Sequence, residues 1–171
     1  DLPQPRSGAP TTSDAFVSQL REEPGTLGFD GAVKFDGVDD YISFAGTNDF
    51  AFGTGDFTIE GFVRSQSHSN YPYIYDGRTN PSSSANAPAL YIHNDNTLRY
   101  YVAGAARITV DYSDYDNKFT HIALQRSSGV TYLYLDGVEK GTWTDTTDYT
   151  DQGPVVIGRH GNSSNATYCL N

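Results

Sequence analysis

The sequence predicts an all-β fold: a two-sheet antiparallel sandwich of about ten short strands, preceded by an extended arm. Three observations predict it. Apolar residues recur with period two from Ala32 onward, clusters of Gly, Asn, Asp, Ser and Pro separate the apolar runs, and 171 residues hold 13 Tyr, 17 Gly and 8 Pro. Successive side chains of a strand point to opposite faces, so alternation marks one buried face. A helix-rich chain would draw more on Ala, Leu, Glu and Lys.

Residues 1–28 read as an arm, punctuated by Pro3, Pro5, Gly8, Pro10, Pro24, Gly25 and Gly28. Within it Thr12-Ser13-Asp14 can cap a short helix through Glu23, with Phe16, Val17 and Leu20 on one side, because hydroxyl and carboxylate side chains satisfy the free amides of a helix start. A docked helix and a disordered leader both remain open. Residues 29–171 form the sandwich. Phe35-Asp36-Gly37-Val38-Asp39-Asp40-Tyr41-Ile42 reads as two short strands joined by an Asp-Gly turn, since glycine takes positive φ freely and aspartate bonds nearby backbone. Phe57–Arg64 alternates cleanly, and strands are expected next at 72–75, 89–94, 97–103 and 106–111. His121–Arg126, Thr131–Val138, 138–143 and Val155–Gly158 follow. Ser65–Asn70 and Asn80–Pro88 read as loops.

Taken in order, Phe35–Ile42, Phe57–Arg64, His121–Arg126, Thr131–Val138 and Val155–Gly158 resemble the laminin-G-like, concanavalin-A-like lectin/glucanase jelly-roll family. The resemblance covers about Gly31 to Gly158 and implies a jelly roll. It also implies a further closing strand after the Ile157-Gly158 turn, which this sequence lacks as it stops at Cys169-Leu170-Asn171. Either the sequence is cut before that strand, or the sheet is completed differently, for which an open edge that pairs with another chain is one route. Domains of this kind recur in extracellular and cell-surface proteins and in phage tail, fibre and capsid-surface proteins, so the resemblance implies an extracellular, cell-surface or virion setting.

A domain of this length buries roughly two-thirds of its unfolded surface, enough for a core without staples. The formal charge is −10, from 21 acidic against 11 basic residues, which argues against nucleic acid or anionic lipid as partner. No apolar run approaches a membrane span. Cys169 is the single cysteine, so no disulfide forms within the chain. A chain without Met that begins at Asp1 reads as a processed product or a fragment. The sequons at Asn162 and Asn165 read as chance tripeptides of an Asn/Ser/Thr-rich loop.

The chemistry points to binding rather than catalysis. Laminarinase-type relatives carry Glu-x-Asp-x-Glu on one strand, whereas Glu60 has no acidic residue at two-residue spacing and two of the chain's four glutamates, Glu22 and Glu23, lie in the arm. Glu60 is expected on a solvent-facing sheet surface, and His121 in a packing role. A glycoside hydrolase is therefore the third-ranked reading. No Gly-x-Ser-x-Gly elbow occurs, and His68, His93, His121 and His160 are scattered. Carboxylates suit calcium, which takes six to eight oxygens, and the family's habit of holding Ca²⁺ at the rim of the sandwich implies Asp36, Asp39, Asp40 and Asp56 as ligands. Turn chemistry accounts for the same aspartates. The aromatic surplus supplies the ligand candidates Tyr91, Tyr100, Tyr101, Tyr132, Tyr134 and Trp143, since tyrosines alternating with inward leucines face outward and can stack on sugar rings. Cross-strand tyrosine pairs also stabilise a sheet without any ligand. The function read from the sequence is a non-catalytic module for glycan recognition. The alternative is a structural virion subunit gripping its neighbours through arm and open edge, as an oligomer.

Overall fold

The computed structural model describes residues 31–46, 48–66, 71–78, 85–150, 153–161 and 168–170. The arm, His68 and both sequon asparagines lie outside the described residues. Ten strands are present: β1 Ile42–Phe44, β2 Phe57–Val63, β3 Tyr73–Asp76, β4 Ala89–Ile92, β5 Thr97–Val102, β6 Ala105–Asp111, β7 Thr120–Ser127, β8 Val130–Leu135, β9 Val138–Thr144 and β10 Val155–Ile157. Every pair is antiparallel, in a six-stranded sheet of order β1-β10-β3-β4-β5-β6 and a four-stranded sheet of order β2-β7-β8-β9. Two single-turn 3₁₀ helices, Asn48–Phe50 and Ser113–Tyr115, accompany the strands. No helix there is long and apolar enough to cross a membrane.

Alternation builds the core. Leu90, Ile92, Leu98, Tyr100, Val102 and Ile108 of one sheet meet Phe57, Ile122, Leu124, Leu133 and Leu135 of the other. Each fully buried Leu or Ile contributes about 1.5–3 kcal/mol by leaving water. A polar knot sits within this apolar layer. Thr131 and Tyr149 hydroxyls donate to Asp145 Oδ2 at 2.6 and 2.5 Å, and Arg126 Nη2 donates to the Asp145 carbonyl at 2.8 Å. Tyr100 and Tyr149 share a short hydroxyl contact beside them.

The expected Phe35–Ile42 hairpin is a correction: only its last residue, Ile42, enters a strand, β1, which pairs with β10. Asp36 Oδ1 accepts the amides of Val38 at 2.7 Å and Asp39 at 3.2 Å, while Asp40 Oδ2 accepts the Asp36 amide at 3.1 Å. The local carboxylates thus consume the amides that a ladder would need. Phe35 instead lies on Gly158, where an added Cβ would meet its ring at 2.5 Å. After β10 the chain's last described residues return as a bridge, Arg159 with Cys169, and Leu170 N–H donates to the Gly158 carbonyl at 2.7 Å.

Candidate functional site

The outer face of the six-stranded sheet gathers aromatic rings. Period two explains the gathering: Tyr71 and Tyr73, Ala89 with Tyr91 and His93, and Arg99 with Tyr101 each share a face, and register sets them side by side, Tyr73 with Tyr91, Tyr91 with Arg99 and Ala89 with Tyr101. Tyr73 stacks on Tyr91 with centroids 4.9 Å apart, and Tyr91 lies 6.4 Å from Tyr101. Tyr71 meets His93 edge-on at 4.7 Å. From beyond β10, His160 meets Tyr73 at 4.8 Å and Tyr168 at 5.2 Å. Tyr73, Ala89 and Tyr91 are buried within the cluster, and the half-buried Tyr71, Tyr101 and Tyr168 form its more open margin.

A charged pair is built into the same face. Asp76 ends β3 on the outer side, and Arg78 folds back so that Nε and Nη2 donate to its two oxygens at 2.7 and 2.8 Å. The Arg78 guanidinium lies over the rings of Tyr73 and Tyr101, at 5.4 and 5.6 Å. Asp76 also accepts the Gly161 amide at 3.0 Å, which ties the chain after β10 to the sheet. At the rim, Arg99 Nη2 donates to Asp95 Oδ2 at 2.6 Å, and Asp95 faces His93 Nδ1 at 3.0 Å. The Asp95 carboxyl is held down to about 2, first by the Thr97 hydroxyl and then by Arg99 and His93. Burial pushes the Tyr73 phenol up to about 12 and lowers His160 below the usual histidine range. The His160 Nδ1 is buried with no hydrogen-bond partner among the described residues. Neutral rings, neutral imidazole and fixed polar edges can bind a polar, flat ligand without proton transfer.

A laminin G-type family model, that of the concanavalin A-like lectin/glucanases superfamily, matches residues 36–169. The chain belongs to that superfamily. Solved structures agree on the fold. A Bacteroides ovatus protein provisionally described as carbohydrate-binding superposes with TM-score 0.54 at 20% identity, covering 69% of this chain and 35% of that one. Domains LG4-5 of the mouse laminin α1 chain give 0.53 at 13%, covering 78% and 37%. The CBM40 module of the Ruminococcus gnavus IT-sialidase, bound to α2,3-sialyllactose, gives 0.53 at 13%, covering 72% and 73%. The chain thus spans about a third of the length of the first two. No curated protein sequence matches it significantly.

In this lectin/glucanase-type sandwich the expected ligand residues divide between two outer faces and the core. Tyr91 and Tyr101 are in the ring cluster. Tyr132 and Tyr134 stack on one another at 6.2 Å on the outer face of the other sheet, opposite buried Leu133 and Leu135. Tyr100 is a correction: it is 0% exposed between the sheets, because it shares the parity of inward Leu98 rather than alternating with it. Trp143 packs against the core 6.2 Å from Tyr100, with the Arg107 guanidinium 4.9 Å above it.

Of the aspartates, Asp36, Asp39 and Asp40 bring carboxylate oxygens within 4.8 Å of one another. Two of those oxygens already hold the turn's own amides. Asp56 stands apart from them, accepting the Ser128 amide at 2.8 Å. Glu60 lies exposed on the outer face as expected, 3.2 Å from His121 Nε2, and His121 packs on Phe62 at 5.0 Å. Sequence reasoning missed Asp76, Arg78, Arg99, His93, His160, Tyr71, Tyr73 and Tyr168. Parity alone finds Tyr73, Tyr91, Arg99 and Tyr101, whereas His160 and Tyr168 arrive through tertiary return and leave no local signal.

Proposed function

We propose that this chain is a non-catalytic carbohydrate-binding module, working at an extracellular or virion surface, that holds a saccharide on the ring-lined face of the six-stranded sheet. The observation that carries the reading is the contact cluster of Tyr71, Tyr73, Tyr91, Tyr101 and Tyr168 around a desolvated Asp76–Arg78 pair. Sugar rings offer C–H faces to aromatic rings and hydroxyls to fixed polar edges, and this face supplies both. The superposition on a module bound to sialyllactose supports it. A two-carboxylate hydrolase finds no support in the four-stranded sheet. Glu60, Ala123, Tyr134 and Glu139 form one cross-strand row, so the two glutamates stand three strand spacings apart, about 14 Å. That exceeds the separation that glycosidase chemistry uses.

A glycan array followed by calorimetry tests the reading. Tyr101→Ala and Arg99→Ala should each weaken binding by roughly tenfold or more, while the paired change Tyr132→Ala with Tyr134→Ala leaves it intact. Silence across the array, or the reverse pattern of loss, contradicts it.

A second reading, assembly with neighbouring copies in a virion or surface lattice, rests on a different observation. Phe62, Phe119 and Val138 are 53%, 60% and 56% exposed, and register puts them at one end of the four-stranded sheet. Light scattering tests it: oligomers that dissociate on Phe62→Ser with Phe119→Ser support assembly there, and a monomer at all concentrations contradicts it.

A further inference from the structure

We infer that the saccharide taken by this face is neutral, recognised through hydroxyl and amide groups, rather than one bearing carboxylate, sulfate or phosphate. The inference rests on the glycan reading above and narrows its ligand class.

An anionic sugar is gripped by a guanidinium or ammonium whose charge is uncommitted. Among the described residues, the two arginines of the ring cluster, Arg78 and Arg99, are each neutralised by a carboxylate of the same face. Arg78 forks both oxygens of Asp76, with side chains only 3% and 0% exposed. The fold itself has desolvated that pair, so drawing Arg78 toward a ligand anion would strand a buried carboxylate. Arg99 is held by Asp95 at 2.6 Å, and the same carboxylate faces His93 at 3.0 Å. Arg159, which precedes His160, lies 3.7 Å over the Tyr41 ring. Burial disfavours a charged His160.

In sequence, the stretches that follow Arg78 and Gly161, 79–84 and 162–167, contain neither Lys nor Arg. At longer range the chain's charge of −10 repels an anion before contact. What the face leaves partly exposed instead is the rings and hydroxyls of Tyr71, Tyr101 and Tyr168 and the tied Arg99 guanidinium at the rim. Those groups match neutral hydroxyls and acetamido groups, which need directed dipoles and a flat apolar floor.

Calorimetry on the full chain with matched pairs tests the inference: lactose with α2,3-sialyllactose, and neutral oligosaccharides with their sulfated or uronate counterparts. The neutral member of a pair is expected to bind about tenfold tighter or more. Its affinity should change less than about twofold between low and high salt, as binding without ion pairing requires. Asp95→Asn, which releases Arg99, should narrow the gap by improving the acidic member. Tighter binding of the acidic member, an affinity that falls steeply with salt, or a gap untouched by Asp95→Asn overturns the inference while leaving glycan binding standing. Binding of neither member in any pair overturns the glycan reading and this inference with it.

Discussion

At the scale of single residues, the decisive groups are charges that the fold has taken out of water and repaired. Arg126 and Asp145 are 4% and 1% exposed, within the core rather than at its rim. Burial alone raises the Asp145 pKa, but hydrogen bonds from Thr131, Tyr149 and Thr147 outweigh it and hold the carboxyl below the ordinary range. A folded-state pKa that is depressed gives stability that is complete above the unfolded carboxylate value, near 4, and is lost as pH falls through the folded value. Thermal unfolding followed from pH 7 downward should therefore show an acid limb that Asp145→Asn makes shallower. At neutral pH that variant should lose roughly 3–5 kcal/mol, because Arg126 is left buried without its partner. An acid limb identical in both proteins would show that Asp145 does not carry this linkage.

At the scale of elements, the sandwich is set by turns. Ala103-Gly104, Ser128-Gly129 and Asp136-Gly137 have φ of 47° and 82°, 51° and 75°, and 49° and 76°, so each joins its two strands through a loop with both central residues in the left-handed region. That geometry matches strand twist, which is why X-Gly recurs there. Asp36-Gly37 has the right letters but only Gly37 is left-handed, at 76°. The aspartate spends its carboxylate on the following amides, and composition cannot distinguish that use from a hairpin. Ser128 is an exposed residue in a conformation that asparagine tolerates better, so Ser128→Asn should stabilise by about 0.5 kcal/mol. Gly158→Ala should do the opposite by roughly 2–4 kcal/mol, since φ is +90° and the Phe35 ring leaves no room for Cβ. Urea unfolding of the two variants checks both signs, and a neutral Gly158→Ala would mean that the Phe35 packing does not fix the end of β10.

At the scale of the molecule, the fold was legible and the site only partly so. Nine of the expected strand segments coincide with observed ones to within a few residues, because period-two alternation and Gly-bearing turns are local signals. The ring cluster is not local. The sequence marks Tyr91 as an outward tyrosine, yet Tyr73, on which it stacks, and His160, which meets Tyr73, come from separate parts of the chain, and Arg78 joins them only because Asp76 turns it back over the sheet. Tyr100 misled for the opposite reason: a hydroxyl suggests a surface, whereas here it is satisfied in the core by Tyr149. An aromatic surplus thus divides among core, cross-strand pairing and a ligand face, and only topology sorts the three. The most direct test of that sorting is a backbone amide NMR titration with a saccharide selected on the array. Shifts confined to Tyr71, Tyr73, Tyr91, His93, Arg99, Tyr101 and their neighbours are the predicted result; shifts centred on Glu60, His121, Tyr132 and Tyr134 of the opposite sheet would contradict it.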